Sequence, residues 1–345
     1  MLEEHGYEVD YLVKSKDMLE DLVCKSGYNY YLVRKKERTS KGIIGLIWAV
    51  IKVELKVFAY IIRRRPRLLI GTYSTLITPL TGVPVVVVCE DDTVMVPRFA
   101  RISYPRASAI LSPIYCDGGR WDSKMTKYFG FQKLAYLHPN RFAPDREILS
   151  KYGLSERYIL IRLVKLSAHH DDNIRGLTTA LVREVIAKAE HFGYRVYITS
   201  ESNLDPSLQS HRLHIDYLDI HHVLAFAGLL VSDSQSMSVE AAMLGVPSIR
   251  FRNIIGRTGV LNALEHKYHL TFGVADNKPE QLLEMVDTLL STPNSRETFQ
   301  QRRSVMLNEH IDVTAFYTWF IEDFPESRRI MKEESSYQIK FKVVV

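Results

Sequence analysis

A run of small polar residues in SDSQSMSVEAAMLGVPSIRF (232–251) separates an apolar strand from a predicted helix. Ser236 is a suitable N-cap, so we expect the helix to begin there, with unpaired backbone N–H groups in its first turn. Those groups and the helix dipole attract an anion such as a diphosphate, and the small side chains let it approach the backbone. The stretch therefore predicts an anion site formed by Ser234, Gln235, Ser236 and Met237.

Glu240 is expected in the first turn of the same helix. An acidic residue there interacts favourably with the helix dipole, and this explanation is sufficient for Glu240 taken alone. The functional alternative is a carboxylate that accepts two hydrogen bonds from a ribose diol, beside the amides that hold the phosphates.

A second polar stretch, KLSAHHDDN (165–173), follows the first strand of the second half of the chain. Because the carboxyl ends of parallel strands share one sheet edge, its side chains should emerge beside the serine-rich turn. Lys165, or Arg162 on the strand, would neutralise the diphosphate as charge builds on the leaving group, and Ser167 and His169 are further predicted ligands.

His170 and Asp171 in this stretch are candidates to donate a proton to those oxygens or to act as a base. The run of His and Asp residues at 169–172 also suggests a metal. Adjacent residues cannot all converge on one ion, and no partner pair at ligand spacing is evident, so we predict no metal site. The pair His221 and His222 is predicted to lie on a helix surface.

Three acidic residues, Glu90, Asp91 and Asp92, end a predicted strand in the first half of the chain. A solvated turn would explain them. The alternative, which we favour, is a catalytic carboxylate that acts as a general base towards a hydroxyl group of a substrate. Thr72, Ser74 and Arg252 are the other polar residues predicted to contribute to the site, in a cleft between the two halves of the chain.

The composition limits the functions open to the chain. Its 345 residues, 46% hydrophobic and 25% charged, suit two globular domains. A formal charge of +5 fits an anionic small molecule or a membrane surface and is too weak to indicate nucleic acid by itself. Three widely spaced cysteines indicate reduced thiols in a cytoplasmic protein, and the first residues lack the layout of a signal peptide.

Short β-branched apolar runs alternate with helical patterns almost throughout, which is typical of βαβ units around a parallel sheet. The predicted strands are EVDYLV, YNYYLV, LLIG, VPVVVV, SAILSP, YILIRLV, RVYITS, LHIDYL, GLLVS and VPSIRF. Segments 68–88 and 229–251 echo each other as strand, hydroxyl-rich turn, short helix, Gly-Val-Pro and strand, which favours two similar doubly wound domains. Prolines and charges at 138–158 indicate the passage between them. Residues 296–331 read as helical, and 333–345 alternate like a strand.

The longest apolar stretch, GIIGLIWAVIKVELKVFAYII (42–62), predicts a helix. Lys52, Glu54 and Lys56 interrupt it and leave too short a run to cross ~30 Å of hydrocarbon. We expect this helix to be buried against a sheet. The alternative is an amphipathic helix that, with the following RRRPR, rests on anionic lipid at the inner membrane face.

Three segments resemble known families. DSQSMSVEAAMLGVPSIR looks like the donor-nucleotide segment of GT-B glycosyltransferases and UDP-N-acetylglucosamine 2-epimerases, where an acid-alanine pair opens a helix and Gly-x-Pro closes it. Together with YFGFQKLAYLHPNRFAPD (128–145) and ILIRLVKLSAHHD (159–171), it closely resembles the GT-B-like family called domain of unknown function number 354. The similarity extends from about residue 6 to the region of 324. It favours the ribose role of Glu240 over dipole complementarity.

The resemblance implies an α/β, GT-B-like fold with two Rossmann-like, doubly wound parallel-sheet domains, an interdomain cleft and C-terminal helices. Residues 1–150 would form the acceptor domain, 151–325 the nucleotide-sugar donor domain and 326–345 a C-terminal tail. Members of the family usually begin with a strand and a small-residue loop before the helix that here reads MLEEHGYEV, so the first domain is expected to lack its first strand.

The implied function is metal-independent transfer of a sugar from a nucleotide-diphosphate sugar to a carbohydrate or lipid-linked acceptor, as in surface polysaccharide or glycolipid synthesis. No cofactor and no nucleic-acid partner are expected. One alternative is a 2-epimerase, which needs no acceptor; FRNIIGRTGVL lacks the acidic part of the pattern that usually follows Gly-x-Pro in those enzymes. The other is a non-catalytic nucleotide-sugar-binding protein, which an incomplete first domain would favour.

Overall fold

The structure, a computed structural model, describes residues 1–14, 19–34, 43–71, 78–164, 176–253 and 256–343. The chain divides into two compact units. The first unit comprises Met1–Tyr128 and Ala315–Lys340, and the second comprises Phe129–Thr314 and Phe341–Val345.

The first unit carries two pieces of parallel sheet. Its elements up to residue 128 are β1 (Tyr11–Lys14), α1 (Leu19–Lys25), β2 (Tyr30–Arg34), α2 (Ile43–Arg64), β3 (Leu69–Gly71), β4 (Val85–Val88), α3 (Pro97–Ser103), β5 (Ala109–Pro113) and β6 (Met125–Tyr128). Strands β1 and β2 form one parallel pair, and β3, β4, β5 and β6 form a second parallel sheet in that order.

Helix α2 packs against both sheet pieces. Val53, Val57 and Ile61 recur every four residues and form its buried stripe. The stripe belongs to one apolar cluster with Leu12 of β1 and Leu69 of β3, so the same helix face contacts a strand of each piece. Across the described ranges, no helix has the apolar length needed to cross a membrane.

A cavity of about 460 Å³ borders both sheet pieces of the first unit. Its lining includes Leu12 and Val13 of β1 and Leu69 and Ile70 of β3. These two strands do not pair with each other, and within the described residues each has only one strand neighbour, β2 for β1 and β4 for β3. The cavity therefore lies beside a strand of each sheet piece.

The second unit contains one five-stranded parallel sheet. Its elements up to residue 309 are α4 (Leu134–Leu137), α5 (Glu147–Lys151), β7 (Tyr158–Leu163), α6 (Thr179–His191), β8 (Arg195–Ser200), α7 (Ile220–Phe226), β9 (Leu229–Ser232), α8 (Gln235–Met243), β10 (Ser248–Phe251), α9 (Gly259–Asn262), β11 (Thr271–Val274), α10 (Pro279–Ser291) and α11 (Ser295–Glu309). The strand order is β11-β10-β9-β7-β8, with every pair parallel.

This sheet is doubly wound. Alternate side chains of its strands, such as Ile161, Val231 and Ile249, pack with α6 and α10 on one face. On the other face, α8 packs against β9, β10 and β11 and also contacts α7. After β7 the chain adds β8 on one side and later β9 on the other, so the order of the strands reverses between β7 and β9. Such a switch point is where doubly wound sheets bind ligands, at the carboxyl ends of the strands.

The two sequence segments with the same pattern, 68–88 and 229–251, also share a local topology. Strand β3 pairs in parallel with β4, and β9 pairs in parallel with β10. Before the second strand of each pair stands a glycine in the left-handed region, Gly82 at φ +72° and Gly245 at φ +69°. Residues 72–77 of the first segment lie outside the described residues.

Two predicted strands are wrong. LHIDYL (213–218) forms no strand: the residue before it, Arg212, makes an isolated bridge with Ile198 of β8, and 213–218 run as an irregular connection. The alternating segment at 333–345 forms the 3₁₀ helix Ser335–Phe341 instead, after helices α12 (Val313–Glu322) and α13 (Glu326–Glu333). There Tyr337 packs on Trp319, with ring centroids 4.9 Å apart, and this packing outweighs the alternating pattern.

The units divide earlier than the predicted boundary at residue 150. Residues 129–150 belong to the second unit, where Leu134 and Leu137 of α4 are fully buried and α4 contacts α8. Residues 315–340 return to the first unit, where the hydroxyl of Tyr317 donates to that of Tyr128 at 2.8 Å. The sequence pattern at 138–158 marks a connection inside the second unit.

We expect the stability of the chain to fall between pH 7 and pH 5 because of one buried histidine. Burial lowers the pKa of His310 to about 4, against about 6.5 in an unfolded chain. The unfolded state therefore binds the extra proton first, and the free energy of unfolding should decrease by about 2 kcal/mol over this range on account of His310. Denaturant unfolding at several pH values measures it.

The matched variants are His310→Phe, which keeps a ring between Phe131 and Tyr268, and His214→Phe at an exposed position. The first should flatten the pH dependence of the unfolding free energy, and the second should leave it unchanged. Equal pH dependence in the His310→Phe variant and the parent chain would contradict the assignment.

Candidate functional site

Helix α8 begins two residues earlier than predicted. Its N-cap is Ser234, not Ser236: the Ser234 hydroxyl accepts a hydrogen bond from the Met237 N–H at 3.4 Å. The hydroxyl of Ser232 accepts from the Ser234 N–H at 2.8 Å and turns the chain directly out of β9, which explains the earlier start. Since the cap occupies the Met237 amide, the first-turn N–H groups without an intrahelical acceptor are those of Gln235 and Ser236.

The other end of α8 is held by α11. Arg303 donates from its Nε to the carbonyl of Met243 at 2.6 Å, and Gln300 donates to the carbonyl of Leu244 at 2.9 Å. Gly245 follows in the left-handed region, and a Cβ there would lie 2.6 Å from the Gln300 side chain. A cation at the last carbonyls also complements the helix dipole. The Gly-Val-Pro segment thus permits close contact between α8 and α11.

Glu240 lies in the second turn of α8, because the helix starts at Gln235. The prediction that it belongs to the first turn is wrong, and dipole complementarity at the helix start does not account for it. Its side chain is 14% exposed. The Tyr136 hydroxyl donates to Oε1 at 2.9 Å, and Nε2 of His221 lies 3.4 Å from Oε2.

The surroundings of Glu240 keep it ionised. Burial on its own would raise the pKa of this carboxyl, but His221, Lys133 and the Tyr136 hydroxyl outweigh burial and hold the pKa below its ordinary value. A carboxylate has about four acceptor positions, and Tyr136 and His221 address two of them. Glu240 is therefore a fixed, charged acceptor with positions left for a ligand.

One of the two histidines predicted on a helix surface, His221, is in contact with this network. His221 is half-buried, and its ring centroid lies 5.5 Å from that of Tyr136. His222 accepts a hydrogen bond from the Asp145 N–H at 2.9 Å. The prediction for His221 is wrong because α7 turns this side chain toward α8.

Two arginines flank the start of α8 at the carboxyl edge of the sheet. Arg162 lies on β7 in register with Ser232 of β9, and Arg252 directly follows β10. Arg252 donates to the carbonyl of Asp233 at 3.1 Å. The Asp233 carboxylate in turn accepts from the Val164 N–H at 2.8 Å and so joins the ends of β7 and β9. Burial raises the pKa of Asp233.

Several polar nitrogens around this edge are buried and lack a hydrogen-bond acceptor within the part of the chain that the structure describes. They are Nε of Arg162, Nε of Arg252 and Nε2 of Gln235. Arg162 also pairs with Glu201 at 2.6 Å, so its charge is partly balanced. Buried donors without acceptors are costly in a finished structure, and an anion at the start of α8 would satisfy them.

Part of the predicted site cannot be located. Residues Thr72, Ser74, Lys165, Ser167, His169, His170 and Asp171 lie outside the described residues. Among the residues that are described, no group of three or more His, Cys, Asp or Glu side chains is arranged to hold a metal ion.

The three acidic residues after β4 differ in their surroundings. Asp92 is buried, and its carboxylate accepts a hydrogen bond from the Asp117 N–H. Asp91 is exposed, and Glu90 is half-buried, with its carbonyl accepting from the Cys116 thiol at 2.9 Å. Asp92 thus holds a loop of the first unit, whereas Asp91 is open to solvent.

Sequence reasoning missed Tyr136, His221 and Asp233 as parts of the site. Tyr136 stands in the quoted segment 128–145, and Asp233 stands in the serine-rich turn itself. The contact of Tyr136 with Glu240 spans 104 residues of sequence, and that of Asp233 with Val164 spans 69. Contacts between such distant segments leave no local signal in the sequence.

The assignment of the N-cap can be tested by two alanine substitutions. Ser234→Ala should lower the free energy of unfolding by about 0.5–1 kcal/mol, because it removes the cap of α8. Ser236→Ala, at an exposed first-turn position, should change the free energy of unfolding by less than about 0.5 kcal/mol. Denaturant unfolding measures both, and a larger effect at Ser236 would show that the cap is misassigned.

Comparisons with known proteins concern the fold. No family model matches the chain, and no curated protein matches it. Several solved structures match the chain in fold. The UDP-N-acetylglucosamine 2-epimerase from Rickettsia bellii is 13% identical, with TM-score 0.61 over 94% of this chain and 91% of that one. The calicheamicin glycosyltransferase CalG4 is 12% identical, with TM-score 0.57 over 94% and 93%.

The UDP-GlcNAc 2-epimerase from Methanocaldococcus jannaschii, solved in complex with UDP-GlcNAc and UDP, is 12% identical, with TM-score 0.50 over 86% of this chain and 98% of that one. Identities this low concern the fold alone, and the resemblance to domain of unknown function 354 stays a prediction. The likenesses and the parallel sheets described above agree with the expected fold class. The chain has an α/β, GT-B-like fold, of the kind found in UDP-GlcNAc 2-epimerases and GT-B glycosyltransferases.

Proposed function

We propose that the second unit binds the nucleoside-diphosphate part of a nucleotide sugar, and that the chain transfers the sugar to an acceptor without a metal ion. The observation that carries the proposal is Glu240, a half-buried ionised carboxylate with open acceptor positions, on the same helix as first-turn N–H groups that lack an intrahelical acceptor. Few ligands need both features, and a nucleotide diphosphate offers a hydroxyl pair and an anion in one molecule.

The ribose would bind at Glu240. The Tyr136 hydroxyl and His221 fix the carboxylate from one side, so its remaining lone pairs are preoriented. A ribose presents two neighbouring hydroxyl donors, which match two acceptor positions of one carboxylate. Hydrogen bonds to a charged acceptor contribute about 1.5–3 kcal/mol each, which is enough to dominate nucleoside recognition.

The diphosphate would bind at the start of α8. The N–H groups of Gln235 and Ser236 point out of the helix there, and Arg252 and Arg162 supply positive charge. Glu240 lies five residues further along, which is about 7.5 Å of helix rise and comparable to the length of a ribose phosphate. Lys165, Ser167 and His169 are further candidates for this part of the ligand.

The fold comparisons support a nucleotide-sugar ligand. The epimerase from Methanocaldococcus jannaschii was solved with UDP-GlcNAc and UDP, and CalG4 is a glycosyltransferase. Both kinds of protein act on or bind activated sugars, and we infer the same class of ligand for this chain.

Catalysis of transfer needs a base for the acceptor hydroxyl and charge stabilisation on the leaving group. We propose one of the three acidic residues that follow β4, Glu90, Asp91 or Asp92, as the base. His170 and Asp171 are the alternative acid or base. Arg162 and Arg252, with the helix dipole, would stabilise the departing nucleoside diphosphate. The acceptor we propose is a carbohydrate or a lipid-linked sugar, as in surface polysaccharide or glycolipid synthesis.

A second candidate is 2-epimerisation of the nucleotide sugar itself. It is favoured by the likeness to the epimerases from Rickettsia bellii and Methanocaldococcus jannaschii. The same Glu240 and α8 site would serve it, since the nucleotide part of the ligand is shared. A non-catalytic nucleotide-sugar-binding protein is the third possibility and would also use this site.

Nucleotide titrations test the proposed site. The chain should bind UDP or GDP, and Glu240→Ala should weaken binding of both the nucleoside diphosphate and the bare nucleoside by about 10- to 100-fold, because the ribose contact is lost. Arg252→Ala should weaken only the diphosphate, because the nucleoside carries no phosphate. Isothermal titration calorimetry with uridine, UDP, guanosine and GDP measures these affinities.

Arg302→Ala, an arginine on α11 that donates to the carbonyl of His269 at 2.8 Å, serves as the matched control and should leave every affinity unchanged. No binding of any nucleoside diphosphate by the folded chain would defeat the proposal. If Arg252→Ala lowered the affinities for uridine and for UDP equally, the phosphates would have to bind away from Arg252.

Incubation with UDP-N-acetylglucosamine, once alone and once with a carbohydrate acceptor, separates the three functions. A transferase leaves the sugar unchanged without an acceptor, whereas an epimerase converts it, and NMR of the anomeric protons distinguishes the epimers. We expect no conversion, because the segment after Gly-Val-Pro lacks the acidic residues described above for epimerases. Conversion that is lost in Glu240→Ala would establish epimerisation instead, and binding without turnover under either condition would favour a binding protein.

A further inference from the structure

We propose that helix α2 docks the protein on the surface of an anionic phospholipid bilayer, through the face opposite its buried stripe. Four large apolar side chains on this outer face are exposed: Trp48 by 59%, Ile51 by 40%, Leu55 by 55% and Ile62 by 55%. They are spaced by three, four and seven residues, so they follow one line along the helix. We call these four residues the outer stripe.

The outer stripe is distinct from the stripe that packs inside the first unit. Val53, Val57 and Ile61 are buried against the sheet pieces, on the opposite side of α2. The sheet therefore accounts for one apolar face only. An amphipathic helix packed on a sheet has a polar outer face, and here the outer face carries a tryptophan and three aliphatic side chains instead.

Basic side chains border the outer stripe. Lys52, Lys56 and Arg63 are exposed and lie beside it at the next positions around the helix, and Arg65 follows at its end. Helices that lie in a membrane interface have this combination, with Trp and Leu entering the headgroup region and Lys or Arg contacting anionic lipid. The outer stripe runs over 14 residue steps, or about 21 Å, so α2 would lie along the bilayer surface.

A bilayer fits this face better than a second protein does. The core of a protein interface is depleted of lysine, because a desolvated ammonium needs a partner. Lys52 and Lys56 directly border Trp48 and Leu55, so a protein covering the outer stripe would also cover them. In a bilayer, lipid phosphates can pair with the lysine ammonium groups in the headgroup region, where the Trp48 indole ring is also stable.

Vesicle co-sedimentation tests the proposal with the full chain and without nucleotide, so its result does not depend on the proposed function. The chain should bind vesicles with roughly 30% phosphatidylglycerol and bind pure phosphatidylcholine far more weakly. Leu55→Glu should weaken binding by about tenfold or more, and the Lys52→Glu/Lys56→Glu double variant should do the same and lose its dependence on salt.

The controls carry the same chemical changes elsewhere. Val305→Glu replaces an apolar residue of α11 that is 57% exposed, and Lys278→Glu/Lys332→Glu reverses two exposed lysines outside α2. Both should bind vesicles like the parent chain. Trp48 provides a direct readout, since its fluorescence should shift to shorter wavelength with phosphatidylglycerol vesicles and this shift should be absent in Trp48→Phe.

Three outcomes would overturn the proposal. The first is binding to phosphatidylglycerol vesicles no stronger than to phosphatidylcholine. The second is an equal loss in Leu55→Glu and Val305→Glu. The third is a parent chain that sediments as a dimer without lipid and a Leu55→Glu variant that sediments as a monomer, which would assign the outer stripe to a second copy. If Leu55→Glu fails to fold by circular dichroism, the lysine double variant decides.

Discussion

Helix α8 is fixed at both ends, and the candidate site depends on this constraint. At its start, the Ser234 cap and the bond between Asp233 and Val164 attach the helix to the ends of β9 and β7. At its end, Arg303 and Gln300 bind the last carbonyls. A helix held in this way cannot slide along the sheet, so the first-turn amides and Glu240 keep their place near the carboxyl ends of the strands, at the separation that the helix rise sets. That separation is what would let one ligand reach both.

The charge of Glu240 is the second constraint. An isolated carboxylate this far inside a protein would tend to take up a proton, since burial disfavours the ionised form. Tyr136 from α4 and His221 from α7 prevent this, and each comes from a different element packed on α8. The residues 129–150 thus belong with the second unit for a chemical reason as well as a packing one, because α4 supplies a donor to the site.

The sequence was sufficient to predict the parallel α/β architecture and the place of α8, because β-branched runs, turn residues and Gly-Val-Pro are local signals. Nine of the ten predicted strands are present as β1 to β5 and β7 to β10. The N-cap was missed by two residues, because Ser232, Ser234 and Ser236 are equally suitable in sequence. The hydrogen bond from the Ser234 N–H to the Ser232 hydroxyl at the end of β9 decides among them. Tyr136 and His221 could not be predicted, since their roles arise from contacts between distant segments. Strands β6 (MTKY) and β11 (TFGV) were missed as well.

The first unit has two separate sheet pieces, and this division affects how the unit can unfold locally. A continuous parallel sheet shares hydrogen bonds across every strand, so its strands tend to separate together. Here the β1–α1–β2 segment shares no strand pairing with β3 within the described residues, and the buried stripe of α2 joins the two pieces. Side-chain packing transmits less cooperativity than a hydrogen-bonded ladder, so we expect this segment to unfold as a sub-global unit. Transient opening there would release β1 and β2 while β3 to β6 stay folded.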